Sequence, residues 1–192
     1  YRKNRESYES SEDVANVAIL RSYASLTYNN SATQLCAVLA EQTLIQAHIP
    51  FDLVFDEGLK NLDKYKVLVL PDSECLSDEQ LKLIRRYVDG GRGLVVIGKA
   101  GLYDECRRVR ITPGLDGLVD KQGHASDYQE HVESLVGSAG IAARKQVGSG
   151  RVAYLSSMEF DGAMPHPTPN FAITNNFWKR PKNWKDLTDL IH

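Results

Sequence analysis

Three cysteines, Cys36, Cys75 and Cys106, are the side chains best suited to covalent chemistry in this chain. They are odd in number and no two form a Cys-x-x-Cys pair, so neither a disulfide framework nor a zinc site is signalled. Cys106 is followed by Arg107 and Arg108, whose charges would lower a thiol pKa if the groups meet. Unpaired cysteines more often pack than react, and Cys75 has no histidine close to it in sequence. All three are therefore read first as buried, inert thiols.

Two groups of titratable residues offer other chemistry. Glu159 and Asp161 are a pair that could serve as general acid and base. Alternate residues at a strand end point to opposite sides, however, and solvated loop carboxylates are the plainer reading. His124, Asp127, Glu130 and His131 would place Asp127 and His131 on one helical face. No third convergent ligand accompanies them, so a solvated face is expected, with no metal and no cofactor. Asn29-Asn30-Ser31 matches a glycosylation acceptor, which is informative only in a secreted eukaryotic chain.

The elements that would aim these groups follow a clear rhythm. Residues 1–13 are polar and mixed in charge and read as a linker or arm, with one domain over residues 14–192. Val14 to Leu20 is a short apolar run, as expected of a parallel strand buried on both faces. A polar loop from Arg21 to Asn30 follows, then a helix capped by Ser31 and running to about His48, with Leu35, Val38, Leu39 and Ile45 on its apolar face and Cys36, Ala40 and Ala47 widening it. Phe51–Phe55 and Tyr65–Leu70 read as the second and third strands. Ser77-Asp78-Glu79-Gln80 is a capping box opening a helix with Leu81, Ile84 and Val88 on one face, which Gly90-Gly91 stops. Leu94 to Ile97, between Gly93 and Gly98, is the fourth strand. From Lys99 to Gly140 a helix is expected only around Tyr128 to Val136. Two strands around Gly148-Ser149-Gly150 read as a hairpin. Met158 to Phe177 is loop, and Asn183 caps a last helix carrying Trp184, Leu187, Leu190 and Ile191.

Strands alternating with helices define an α/β fold, a flavodoxin-like three-layer sandwich around a mostly parallel sheet. Ligands of such folds bind at the carboxyl ends of the strands. This rule makes Arg21, Tyr23, Asp72, Glu74, Lys99, Tyr103 and Glu159 the candidate ligand or interface residues. Lys99 would bind an anionic group or, more plainly, pair with Asp72 or Glu74. Tyr23, Tyr28, Tyr103 and Phe160 could stack on a pyranose ring or pack against a neighbouring subunit.

Composition narrows the partners. The 192 residues carry 23 basic and 25 acidic side chains, a net charge of −2, which disfavours nucleic acid and anionic membrane. No apolar run approaches the ~20 residues needed to cross a bilayer, and no secretory h-region follows Tyr1. A soluble parent is expected, either cytoplasmic or secreted in a bacterial type of cell. The absent initiator Met, and a last helix that reaches Ile191-His192 without a stop signal, point to a piece of a longer chain.

Several segments carry a family likeness. They are Lys64 to Pro71, the run Tyr87 to Gly98 (YVDGGRGLVVIG), Gly101 to Glu105, and the later Val147 to Leu155, followed by the FWKRPKNWKDLTDLI tail. Together they resemble the class I glutamine-amidotransferase-like domain found inside glycoside hydrolases, the trimerisation domain of family 42 β-galactosidases. The likeness covers roughly residues 14–192. It implies a homo-oligomer, an upstream barrel that holds the catalytic carboxylates, and carbohydrate as the parent's substrate. A working amidotransferase of this type needs a Cys on a sharp turn after a strand, with a His as base. Here the turn after the fourth strand reads Gly98-Lys99-Ala100-Gly101, and Ser156 to Asp161 stands where His-x-Glu is expected. The resemblance therefore implies an accessory domain that lacks the nucleophile. The readings left beside it are an independent cysteine enzyme using Cys106 or Cys75, and a sugar or small-ligand module.

Overall fold

The computed structural model describes residues 14–119, 142–160 and 179–192. One six-stranded sheet runs through them in the order β2-β1-β3-β4-β6-β5. The strands are β1 (Val17–Arg21), β2 (Phe51–Phe55), β3 (Val67–Pro71), β4 (Gly93–Ile97), β5 (Ala142–Val147) and β6 (Gly150–Leu155). All pairings are parallel except that of β5 with β6. The expected α/β sandwich is therefore the observed fold.

Both faces of the sheet are covered, which explains the uninterrupted apolar runs. Leu68 and Leu70 of β3 enter one core, and Val69 between them enters the other. The first core is closed by α3 (Asp78–Asp89) through Leu81, Ile84 and Val88, and by a 3₁₀ segment, Asp56–Asn61, through Leu59. The second is closed by α2 (Asn30–Gln46) and α4 (Trp184–Ile191) through Ala40, Leu44 and Leu187. Ile19, Leu70, Ile84, Leu94 and Leu155 are among the largest wholly buried side chains, each contributing about 1.5–3 kcal/mol by leaving water.

The capping box is present as read. The Gln80 N–H donates to Ser77 Oγ, and the Ser77 N–H donates to Gln80 Oε1. Gly91 takes the left-handed φ of +87° just past α3, with Gly90 as the cap residue at −70°.

Four expectations need correction. Arg21 to Asn30 is not a loop: Tyr23–Tyr28 forms a short helix, α1, whose N-cap Ser22 accepts from the Ser25 N–H. Asn29, not Ser31, precedes α2, and it caps with its backbone only. The face of α2 turned to the sheet is Thr33, Ala37, Ala40 and Leu44 together with Leu39, while Ile45 is 52% exposed. Small residues at Thr33, Ala37 and Ala40 let this helix lie close to β1 and β3, with Leu39 and Leu44 also inside. Asn183 precedes α4 without capping it through its side chain. That side chain instead accepts from the Glu159 N–H and donates to the Ser157 carbonyl.

The arm at residues 1–13, the helix expected at Tyr128 to Val136, the group His124, Asp127, Glu130 and His131, and Asp161 all lie outside the described residues. No helix among those described is long and apolar enough to cross a membrane.

Candidate functional site at the strand ends

The strand order reverses between β1 and β3, since β2 lies beyond β1 and the later strands lie beyond β3. In open α/β sheets this reversal opens a crevice at the carboxyl ends. Here α1 spans it. Ser22 Oγ and Ser25 Oγ donate to the Cys75 carbonyl at 3.1 and 3.2 Å, and the Cys75 N–H donates to Ser25 Oγ at 2.9 Å. From α2, Thr33 Oγ1 donates to the Asp72 carbonyl at 3.1 Å. Ser22, Ser25 and Thr33 are buried. Sequence reasoning gave Ser22 and Ser25 no such anchoring role because it read Arg21 to Asn30 as loop, although their spacing as N-cap and N3 was the available signal; Thr33 lay in the expected helix but was not assigned to its buried face.

Asp72 follows β3 with a positive φ of 46°, a conformation that Asp tolerates better than most residues. Its Oδ1 accepts from the Lys99 N–H at 3.0 Å, so the two candidates do meet, through Lys99's backbone as well as its charge. Burial pushes the Asp72 carboxyl above its usual range; the Lys99 N–H and ammonium pull it back, and Glu74 adds a further upward push. Cys36, on α2, is near enough to Asp72 and Arg21 to feel both, but burial dominates and holds its thiol well up.

Arg21 is committed inward. It donates to Gln34 Oε1 at 2.9 Å and pairs with Glu41 at 2.5 Å, tying the end of β1 to α2. Burial raises the Glu41 carboxyl and the Arg21 charge and hydrogen bond lower it.

Glu74, Tyr103 and Arg107 form the second cluster. Glu74 is 1% exposed, and the Arg107 guanidinium lies 3.4 Å from its Oε1. Arg107 has a positive φ of 58°, donates to the Tyr28 carbonyl, and stands over the Tyr103 ring at 5.7 Å. The Tyr103 N–H donates to the Glu74 carbonyl, and the Leu76 N–H donates to the Tyr103 carbonyl. The loops after β3 and β4 are thus zipped beyond the strands themselves.

Tyr23 and Glu159 are placed apart from these clusters. Tyr23 is 55% exposed, stacks on Phe55 with ring centroids 5.3 Å apart, and donates its N–H to Asp56 Oδ2 at 3.0 Å. Glu159 is positioned by β6 and α4 through Asn183.

The thiols differ sharply. Burial and then Glu74 push the Cys75 thiol up to about 12, which leaves almost no thiolate near neutrality. Cys106 is exposed, contrary to the buried reading. It sits in a turn built by Asp104, which accepts from the Cys106 and Arg108 N–H groups and from Arg108 Nε. Both flanking guanidiniums are therefore engaged with carboxylates, Arg107 with Glu74 and Arg108 with Asp104. At the turn after β4 the left-handed residues are Gly98 and Gly101, each with φ +66°. No group of three or more His, Cys, Asp and Glu residues suited to a metal is found among the described residues.

No protein-family model matches the sequence, and no curated protein does. Solved structures do match. The chain superposes on a catalytic mutant of the GH42 beta-galactosidase from G. stearothermophilus with a TM-score of 0.58 at 16% identity, covering 80% of this chain and 29% of that one. The beta-galactosidase from Bacillus circulans sp. alkalophilus gives 0.58 at 15%, covering 81% and 30%. The enzyme from Rahnella sp. R3 gives 0.53 at 16%, covering 82% and 32%. The chain spans about a third or less of the length of these beta-galactosidases. The likeness is one of fold.

Proposed function

We propose that this chain is a non-catalytic, amidotransferase-like accessory and oligomerisation domain of a multi-domain glycoside hydrolase. Its strand-end loops would pack on, or help wall, a sugar-cleaving site held by an upstream domain of the same chain. The observation that carries this reading is the lopsided superposition: 80% of this chain overlies only 29% of a beta-galactosidase chain. The site chemistry agrees with it. Gly98 occupies a left-handed position after β4, Cys75 is held as a thiol, and the crevice at the reversal point is spanned by α1.

Light scattering over a wide concentration range tests self-association. The expected result is a mass above the 21.4 kDa of one chain, through a contact burying at least about 1,000 Å². A mass fixed at the monomer value at every concentration would remove oligomerisation by this domain alone. Deleting the domain from its parent should then leave a protein with altered assembly and reduced glycan cleavage.

One observation favours a second reading, direct contact with carbohydrate. The Tyr23–Phe55 stack leaves both rings substantially exposed, 55% and 42%, beside the Asp56 carboxylate. Aromatic faces and an acceptor are what a pyranose uses. A thermal-shift screen with galactosides separates the two readings: stabilisation lost in Tyr23→Ala supports a sugar platform, and no stabilisation at millimolar ligand argues against it.

A further inference from the structure

A cleft opens at the amino ends of the strands, far from the candidate residues above, on the face covered by α2 and α4. Val67, Val95 and Ala153 form its floor, and Leu190 and Ile191 of the last turn of α4 form one wall. At about 490 Å³ it falls in the size range of small-molecule sites, roughly 300–1,000 Å³.

Its charges are one-sided. Lys66, Arg144, Lys145 and Arg151 line it, and no Asp or Glu side chain does among the described residues, although the chain as a whole has a net charge of −2. Arg144 has a structural task, donating to the Asp189 carbonyl, where a cation answers the negative end of a helix. Lys145 donates to the Gly117 carbonyl. The side chains of Lys66 and Arg151 take part in none of the hydrogen bonds or ion pairs of the described residues.

Both of these cations stand at the amino edge of the sheet and line the cleft. Val67, Gly93 and Arg151 stand in a row across β3, β4 and β6, two strand spacings or about 10 Å from end to end. Lys66 immediately precedes Val67. Gln146 is the partner of Arg151 across the β5–β6 hairpin, and both line the cleft with Ala153. Two long cationic residues therefore line the same cleft as a floor of aliphatic groups.

We propose that this cleft binds a small organic anion. An oxyanion head, whether carboxylate, sulfate or phosphate ester, would be held between Arg151 and Lys66, with the Arg151 guanidinium suited to a two-point contact. A compact apolar body would rest on Val67, Val95, Ala153 and Ile191. The proposal concerns a different end of the sheet from the accessory-domain reading and does not depend on it.

The test is a titration of the isotope-labelled 192-residue chain followed by backbone amide NMR. The probes are phenyl phosphate, phenyl sulfate, benzoate, neutral phenol and inorganic phosphate alone. At least one aryl oxyanion should shift Val67, Gly93, Val95, Arg151 and Ala153 saturably, with a Kd below about 1 mM; comparison of the three heads identifies the preferred anion. Phenol and inorganic phosphate should each bind at least about tenfold more weakly, because each lacks half of the recognition. Arg151→Gln and Lys66→Gln should each weaken the best probe about tenfold with an unchanged melting temperature, while Arg108→Gln, at the other end of the sheet, should leave it unaltered. Any one of four results would overturn the proposal: no saturation by about 10 mM, shifts centred on the carboxyl ends of the strands, phenol or inorganic phosphate binding as tightly as the aryl anions, or wild-type affinity in both cleft variants.

Discussion

A Cβ placed on Gly98 would lie 2.9 Å from Asp72 Oδ1, the same oxygen that accepts the Lys99 N–H at 3.0 Å. The turn after β4 is thus fitted around a carboxylate from the end of β3, and Gly98 also holds a φ of +66°. Gly98→Ala should destabilise the fold by about 1–3 kcal/mol, from left-handed strain and displacement of Asp72. Urea unfolding of Gly98→Ala, Asp72→Ala and the double variant measures the coupling, with the double expected to cost less than the sum. Strict additivity would mean that the close approach carries no energy.

The pH dependence of Asp72 has a defined sign. Its folded pKa stands above the ordinary 3.8, chiefly because of burial. Between 3.8 and that raised value the unfolded chain has already released the proton that the folded chain retains, so stability from this group falls as pH rises through the window. It is fully present only below 3.8. Asp72→Asn keeps an acceptor for the Lys99 N–H and removes the ionisation. Its melting temperature relative to wild type should therefore rise with pH from 3.8 upward and level off above the folded pKa. A difference that is flat with pH, or that falls, would contradict this.

Much of this frame was legible in the sequence because local and global signals agreed. The apolar runs in β3 and β4 and the Ser77–Gln80 capping box each have a single good solution. The failures share a physical cause. The buried face of α2 includes Leu39 and Ala40, as expected, but also Thr33 and Ala37, whose small side chains hide their role from a hydrophobicity pattern, while exposed Ile45 drew the expected face partly off the core. Helix α1 is too short to show periodicity, and its anchoring is polar, through Ser22 and Ser25 to Cys75. Strand-end position found Asp72, Lys99, Glu74 and Tyr103. It could not find Arg107, which arrives from later in the chain on a left-handed turn.

The cysteines should react in an order set by the fold. Cys106 is exposed and Cys75 wholly buried. A thiol pKa of about 12 for Cys75 leaves roughly one part in ten thousand as thiolate at pH 8. Labelling of the folded protein with an aromatic disulfide should show one fast phase, abolished by Cys106→Ser, while Cys75 reacts only on unfolding. Equally fast labelling at Cys75 would show that the α1 lid over it opens freely, and would return weight to a cysteine-based activity.

The Glu74–Arg107 pair offers a test of what holds the loop after β4. Glu74 is almost fully enclosed and its partner is 39% exposed, so the pair lies between the surface and buried limits. Arg107→Ala would leave a buried carboxyl facing only its own loop and would also release the Tyr28 carbonyl. A loss of about 1–3 kcal/mol is expected, below the 3–5 kcal/mol of a fully buried broken pair because solvent reaches the arginine side. Adding Glu74→Gln to Arg107→Ala should recover part of that loss, since a neutral amide tolerates the same enclosure at lower desolvation cost. Unfolding midpoints of the two single variants and the double decide the matter. If Arg107→Ala costs less than about 0.5 kcal/mol, the contact is a surface ion pair without structural weight. If the double variant is no more stable than Arg107→Ala alone, the loss comes from the Tyr28 and Tyr103 contacts rather than from the buried charge.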